Sequence, residues 1–261
     1  MKHLHFLFIL AVAACLTACH VHESHSYQAG TVIRDTLQGT PCCVYLPYRY
    51  ASRSSEGQTP FPVLYLHHGM FGNEDDWTAK GRLVEIMDSL LQLQQVREMV
   101  IIMPDNCPSR DSWQAEHDNA TTGAWERNFP AFMAKAEAKY HISSLPACRA
   151  IAGLSMRGFH SYHVSHHLAG QFGYVGLFSP YLANPDAPEY ADRDNEVRTQ
   201  LASRPLYWIG IGSEDFLYQG VQEYRRWLEE NHLEYTYYES AGGHDWPNWQ
   251  DYITRFLSLL F

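Results

Sequence analysis

The sequence lacks any block of basic residues. Its 19 Lys and Arg residues are outnumbered by 29 Asp and Glu residues, so the formal net charge is -10 at pH 7. Nucleic acids and anionic membrane surfaces attract proteins through basic patches, and an acidic chain without such a patch is repelled by both. The composition therefore argues against nucleic acid as a partner and favours an uncharged or weakly charged substrate.

Cys-x-x-Cys pairs, which are typical of structural zinc sites, are also absent. Four of the six cysteines lie beyond the N-terminal segment, at Cys42, Cys43, Cys107 and Cys148. Adjacent residues of a strand point to opposite faces, so we expect no bond between Cys42 and Cys43. The sequence leaves the pairing of these four cysteines open.

The apolar run near the N-terminus is too short to cross a membrane. It extends from Leu4 to Leu16, behind Lys2, and small residues follow it. A spanning helix needs about 20 apolar residues, whereas this shorter pattern is typical of a secretory signal peptide. We therefore predict a signal peptide over residues 1–18 and an exported protein.

The stretch Leu16-Thr17-Ala18-Cys19 resembles the lipobox of bacterial lipoproteins. Cleavage before Cys19 would leave this residue lipidated, and residues 19–30 would then form a tether between the lipid and the domain. We expect a lipoprotein of the cell envelope, facing the periplasm or the cell surface, whose membrane contact is the lipid anchor alone. The alternative is an ordinary signal peptide cut near Ala18, which would leave the protein periplasmic or secreted.

Residues 31–261 show no internal repeat, and their length suits one domain. Two β-rich pieces, broken by Gly39 and Pro41, predict an opening hairpin. Short apolar runs then alternate with segments of helical period. The predicted strands are PVLYLHHG, EMVIIMPD, RAIAGLS, YVGLFS, PLYWIGIG and EYTYYES, and the predicted helices cover about 80–93, 125–140, 156–168, 219–230 and 246–260. This alternation predicts an α/β fold with a mainly parallel central sheet and helices on both faces.

The stretch RAIAGLSMRGFH, from Arg149 to His160, places a serine between a buried strand and a helix. This is the context of a nucleophile elbow, in which Ser155 would be the nucleophile. The last glycine of Gly-x-Ser-x-Gly is missing, because Arg157 stands in its place and Gly158 comes one position late. Burying an unpaired guanidinium is costly, so we expect the side chain of Arg157 to extend toward solvent or a carboxylate.

A neutral serine is a poor nucleophile and needs a general base. In the chain order serine, acid, histidine, the acid ends a later strand and the histidine follows the last strand. Glu214 and Asp215 both fit the first position, and we favour Asp215. His244 follows a Gly-Gly turn before the last helix and is the candidate base. The histidines of the helix after Ser155 are expected to be packing or surface residues.

Two loops are expected to complete this site. The loop in LHHGMFGNEDDW should supply the backbone N–H of Met70 to an oxyanion hole, and Met156, next to the serine, should supply the other N–H. His68 is expected to hold the turn of that loop by hydrogen bonding. The longest irregular segments, 106–123 and 181–205, should wall the site, and Trp113 is a candidate platform for the substrate.

Four segments together, YLHHGMFGNEDDW, AIAGLSMRGFHS, GSEDFLY and GGHDWPNW, resemble the putative-esterase family of α/β-hydrolases. That family includes esterase D, mycolyltransferases, enterobactin esterases and the feruloyl and acetyl xylan esterases of carbohydrate esterase family 1. The resemblance covers residues 31–261. It implies an α/β-hydrolase fold in which Ser155, Asp215 and His244 form the triad and the Met70 and Met156 amides form the oxyanion hole. The departure is Arg157, since the family usually reads Gly-Leu-Ser-Met-Gly-Gly.

The resemblance implies a serine esterase that needs no metal or organic cofactor. Its partner would be an ester-bearing small molecule or a polysaccharide side chain, and we favour release of ferulate or acetate from xylan by an exported enzyme. One alternative is a hydrolase of siderophores or other small esters. The other is a carbohydrate-binding relative without activity, in which Arg157 has spoiled the elbow.

Overall fold

We describe a computed structural model of the chain, which covers residues 28–54, 57–107, 109–112, 114–115, 123–168, 170–182 and 205–261. The predicted signal peptide at 1–18, the predicted lipidation site Cys19 and the candidate platform Trp113 lie outside these residues. Of the two segments that were expected to wall the site, half of 106–123 and most of 181–205 also lie outside them.

Eight strands form one sheet in the order β1-β2-β4-β3-β5-β6-β7-β8. The strands are β1 (Thr31–Leu37), β2 (Thr40–Leu46), β3 (Val63–His67), β4 (Val100–Pro104), β5 (Arg149–Leu154), β6 (Tyr174–Phe178), β7 (Leu206–Gly212) and β8 (Thr236–Ser240). The β1–β2 and β2–β4 pairs are antiparallel, and every pair from β4 to β8 is parallel. The opening hairpin and the mainly parallel sheet are therefore confirmed.

Helices cover both faces of this sheet. They are α1 (Tyr50–Arg53), α2 (Asp76–Ala79), α3 (Leu83–Gln92), α4 (Ala124–Lys139), α5 (Met156–His167), α6 (Tyr218–Glu230) and α7 (Trp246–Leu257). One hydrophobic cluster packs α4, α5 and α6 on one face, and a second packs α3 and α7 on the other. The prediction of helices on both faces is confirmed.

Alternate side chains along each strand pack into these two cores. On β3, Val63 and Tyr65 belong to one cluster, whereas Leu64 and Leu66 belong to the other. All five residues of β3 are buried, as a parallel strand covered on both sides requires. The carboxyl ends of β3, β5 and β7 then meet at one edge of the sheet, where α/β proteins bind their ligands.

Cys42 and Cys43 lie next to each other on β2 and enter opposite cores, as predicted. These two residues, with Cys107 and Cys148, are thiols rather than disulfides in the structure. Burial raises the pKa of the Cys42 and Cys43 thiols to about 12. Both side chains pack as small core residues, and the Cys43 thiol also donates to Oδ1 of Asp75 at 3.2 Å.

Within the described part of the chain, no helix is both long enough and apolar enough to span a bilayer.

Candidate active site

Ser155 lies at the sharp turn between β5 and α5. Its φ of 55° and ψ of -126° are angles that normally require glycine, and a serine there costs about 1–3 kcal/mol. The backbone is fixed on both sides, because the Ser155 N–H donates to the carbonyl oxygen of Phe178 at 2.9 Å and the Tyr181 N–H donates to the Ser155 carbonyl at 3.0 Å. The strand, turn and helix predicted around this serine are present.

Arg157 is completely buried, and the expectation that it extends toward solvent is wrong. Its Nε–H donates to Oδ1 of Asn106 at 3.1 Å, and its Nη2 donates to the backbone oxygen of Asn106 at 3.2 Å. A guanidinium carries five N–H donors in a planar fork, so neighbouring amide and carbonyl oxygens can accept several of them inside the protein. Arg157 thus joins the first turn of α5 to the loop after β4.

Gly158 occupies the position where space is limiting. A Cβ atom built there would lie 3.0 Å from Cα of Pro180 and 3.2 Å from the carbonyl oxygen of Gly153. The first turn of α5 therefore approaches the segment after β6 closely, and a side chain would separate them. The glycine that comes one position late in the sequence is the one that this contact requires.

His244 connects Ser155 to Asp215. Its Nε2 lies 2.9 Å from Oγ of Ser155, and its Nδ1 lies 2.8 Å from Oδ2 of Asp215. The Asp215 side chain is fully buried, whereas Glu214, the other carboxylate at the end of β7, is exposed. The structure therefore brings together the three residues that the sequence indicated, and it favours Asp215 over Glu214.

The protonation state of this group follows from the surroundings of Asp215. Burial alone would raise the pKa of Asp215, but hydrogen bonds from His244, the Leu217 amide and Ser179, together with the charge of His244, bring it below its usual value. An ionised Asp215 accepts the proton of His244 Nδ1, which leaves Nε2 free to accept the hydroxyl proton of Ser155. This tautomer is the one that general-base catalysis needs.

The loop that carries His244 is held by residues that were not expected to have a role. Asn248 donates from Nδ2 to the carbonyl oxygen of Gly243 at 2.8 Å, and Ser240 donates to Oδ1 of Asn248 at 3.0 Å. The buried ring of Trp249 meets the imidazole of His244 edge to face, with centroids 5.0 Å apart. Asn248 and Trp249 lie in the first turn of α7, next to the loop, and this position was the signal available in the sequence.

The two amides predicted to bind an oxyanion belong to segments on either side of Ser155. Met156 is the first residue of α5, so its N–H has no acceptor within the helix. A Cβ atom at Gly69 would lie 3.9 Å from Cβ of Ser155, which places the loop carrying Met70 beside the serine. His68 Nδ1 lies 2.5 Å from the carbonyl oxygen of Gly69, so this ring bonds within the loop, as expected.

A buried chain of hydrogen bonds lies beneath the turn. Trp125 donates from Nε1 to Nε2 of His67 at 3.2 Å, which leaves His67 Nδ1 to donate to Oγ of Ser161 at 2.9 Å. Ser161 in turn donates to the carbonyl oxygen of Arg157 at 2.8 Å. Desolvation, with the nearby charges of His160, His68 and Arg157, lowers the pKa of His67 well below its usual value.

The histidines of α5 are packing or surface residues, as expected. His160, His163 and His166 are buried, and His167 is exposed. His160 pairs through Nδ1 with Oε1 of Glu126 at 3.0 Å. No group of three or more His, Cys, Asp or Glu side chains that could hold a metal ion occurs among the described residues.

Comparison with known proteins gives related esterases. The family model described as "Putative esterase" matches residues 38–259. A protein of Xylanibacter ruminicola named "Endo-1,4-beta-xylanase/feruloyl esterase" is 27% identical over 203 residues, which cover 72% of this chain and 28% of that protein. An "Acetyl esterase" of Caldicellulosiruptor saccharolyticus is 23% identical over 229 residues, covering 74% of this chain and 80% of that protein.

A solved structure supports the same fold. The ferulic acid esterase of Anaeromyces mucronatus, in complex with ferulic acid, superposes with a TM-score of 0.74 and 22% identity, covering 92% of this chain and 93% of that one. The α/β-hydrolase fold that the family resemblance implied is thereby confirmed. Because the family model spans residues 38–259, nearly the whole predicted domain, this chain belongs to the "Putative esterase" family.

Proposed function

We propose that this chain hydrolyses carboxylic esters through Ser155, His244 and Asp215. The observation that carries the proposal is the pair of hydrogen bonds, 2.9 and 2.8 Å long, that joins these residues at a strained turn. Ser155 Oγ attacks the ester carbonyl carbon while His244 Nε2 takes the hydroxyl proton. Asp215 stabilises the resulting imidazolium through Nδ1–H.

The tetrahedral intermediate would carry its negative charge on the former carbonyl oxygen. The N–H groups of Met70 and Met156 would stabilise that charge. Collapse breaks the bond to the alcohol, and His244 returns its proton to the departing oxygen. Water then repeats the sequence on the acyl-enzyme, releasing the carboxylic acid and restoring Ser155.

The test of this proposal is the loss of activity in triad variants that keep the fold. We expect Ser155→Ala and His244→Ala each to lower kcat for 4-nitrophenyl acetate by about 10³-fold or more, with Asp215→Asn nearly as damaging. The matched control is Glu214→Gln, which removes the neighbouring exposed carboxylate and should leave kcat within about twofold. A wild-type protein without esterase activity would favour the carbohydrate-binding relative instead.

For the substrate, we propose a feruloyl or acetyl ester on a plant polysaccharide. The names of the related proteins support this class, since they include a xylanase/feruloyl esterase, an acetyl esterase and a ferulic acid esterase. The measurement is kcat/KM for methyl ferulate and methyl acetate, each divided by the rate constant of its hydroxide-catalysed hydrolysis. A higher ratio for ferulate indicates a feruloyl esterase, and a higher ratio for acetate indicates an acetyl xylan esterase. Weak turnover of both, with rapid turnover of a siderophore ester, would support that alternative.

We also propose that the enzyme is exported and anchored by lipid on Cys19. The support is the sequence of residues 1–19, an apolar run followed by Leu-Thr-Ala-Cys. Cys19→Ser should move the protein from the membrane fraction to the soluble fraction after cell lysis. A wild-type protein that is already soluble would contradict the anchor.

A further inference from the structure

Phe216 is an exposed aromatic side chain directly after Asp215. Its exposed fraction is 75%, the highest of the large hydrophobic residues in the described part of the chain. Leaving an aromatic ring in water forgoes the stabilisation that its burial would give. The ring therefore contributes little to the core, and a contact outside the folded chain would account for its position.

The ring of Phe216 lies against the imidazole of His244. The two centroids are 4.5 Å apart, and the planes are inclined by 53°. The backbone on either side of the ring is fixed, because the Leu217 N–H donates to Oδ1 of Asp215 at 2.9 Å and the Asp215 N–H donates to the Gly212 carbonyl at 3.1 Å. A ring carried on such a turn can bind a partner with little loss of conformational entropy.

The proximity to His244 assigns the ring to one side of the ester. In the mechanism proposed above, His244 Nε2 delivers its proton to the leaving oxygen, so the alcohol part must lie within hydrogen-bonding distance of this imidazole. The carbonyl oxygen instead turns toward the amides of Met70 and Met156. Phe216 therefore adjoins the alcohol rather than the acyl group.

We propose that Phe216 is a stacking platform for the sugar ring of the leaving alcohol, so that the enzyme prefers carbohydrate esters to simple alkyl esters. The C–H face of a sugar is apolar, and stacking it on an aromatic ring removes both surfaces from water. An uncharged platform also suits a neutral sugar in a chain of net charge -10. This inference rests on the proposed function, because it takes His244 as the group that protonates the alcohol.

The experiment compares two esters that share ferulate and differ in the alcohol, methyl ferulate and 5-O-feruloyl-arabinofuranose, in the wild type and in Phe216→Ala. The arabinose ester should lose about tenfold in kcat/KM, mainly through a higher KM, which is the loss expected for one aromatic contact. Methyl ferulate should change by less than about threefold. Phe216→Tyr keeps the flat ring and should retain the wild-type preference.

The control is Leu145→Ala, which removes another exposed apolar side chain, 63% exposed. It lies in the segment before β5 and therefore at the far end of the strand that leads to Ser155. It should leave both esters unchanged. The proposal would be overturned if Phe216→Ala lowered kcat/KM for the arabinose ester by less than about three times the factor by which it lowers kcat/KM for methyl ferulate. An equal loss on both esters is included in that result. An equal loss would instead indicate that Phe216 only positions His244. If the wild type hydrolysed neither ester, the proposed function itself would fail, and that result is distinct from a missing preference.

Discussion

Arg157 joins two segments of the site from the inside. Its guanidinium donates to two oxygen atoms of Asn106, one on the side chain and one on the backbone, and none of its surface reaches solvent. The first turn of α5 is thereby tied to the loop after β4. Removing these donors would leave the oxygens of Asn106 buried without a hydrogen-bond donor. An unsatisfied buried acceptor destabilises the folded state, because its lost hydration is not compensated.

We predict that Arg157→Met lowers the free energy of unfolding by about 2–4 kcal/mol, since an apolar chain of similar length cannot donate to Asn106. Urea unfolding followed by circular dichroism measures this change. The matched control is Arg226→Met on the exposed face of α6, which should cost less than about 0.5 kcal/mol. Equal effects of the two substitutions would contradict the role assigned to Arg157.

The triad residues could be identified from the sequence because this fold places them in a fixed order along the chain. Ser155, Asp215 and His244 follow the order nucleophile, acid, base and come after β5, β7 and β8. Arg157 and Phe216 could not be placed in the same way, because an arginine at a helix start and an aromatic after an acid are each compatible with burial or exposure. Only the packing of distant segments decides between them.

Helix α7 begins at Trp246, two residues after His244. Asp245 caps it, since its Oδ1 accepts the N–H of Asn248 at 3.2 Å, and Pro247 stands within the first turn. Proline at this place is compatible with a helix because the first N–H groups have no partner within it. The start of α7 therefore fixes the end of the loop on which the imidazole stands.

We predict that Asp245→Ala lowers the free energy of unfolding by about 1 kcal/mol, the usual cost of an N-cap. It should also lower kcat more than it raises KM, because a frayed helix start loosens His244. Asp245→Asn keeps the side-chain oxygen and should retain most of both properties. Urea titration and steady-state kinetics on the same samples test this, and wild-type behaviour of the alanine variant would show that the cap is dispensable.

The strands and helices themselves were largely predictable. A strand that is buried on both faces appears in the sequence as a short apolar run, and a helix that is buried on one face shows apolar residues with the helical period. The closing helix is shorter than the expected 246–260, since it ends at Leu257 and the chain then turns. The strand order was not predictable in detail. That β3 lies between β4 and β5 depends on pairing between segments far apart in the chain, and local patterns carry no information on partners.

For the molecule as a whole, the buried His67 makes stability depend on pH. Its folded pKa lies well below the ordinary value of about 6.5, so the unfolded chain binds a proton that the folded chain does not. At a pH well above about 6.5 the imidazole of His67 is neutral in both the folded and the unfolded state, so it does not lower the free energy of unfolding. As the pH falls below that value, the unfolded state gains the proton and stability is lost.

We therefore predict that the free energy of unfolding is nearly constant from pH 8 to 7 and falls between pH 6.5 and 5. Urea unfolding at each pH measures the slope. His67→Gln should be less stable at pH 8, because it disturbs the bonds to Trp125 and Ser161, but its slope below pH 6.5 should be smaller. His167→Gln, at an exposed position of α5, should keep the wild-type slope. A slope in His67→Gln equal to that of the wild type would exclude His67 as the source.

The backbone angles of Ser155 have a consequence for how stability and activity constrain each other in this chain. Glycine at this position would relieve the strain that alanine keeps, so Ser155→Gly should melt higher than Ser155→Ala by the equivalent of about 1 kcal/mol, although both would be inactive. Differential scanning calorimetry of the two variants measures this difference, and equal melting temperatures would show that the turn is unstrained. Selection for thermostability alone would favour glycine at this position. A serine in this conformation is therefore retained when selection acts on catalytic activity rather than on thermostability.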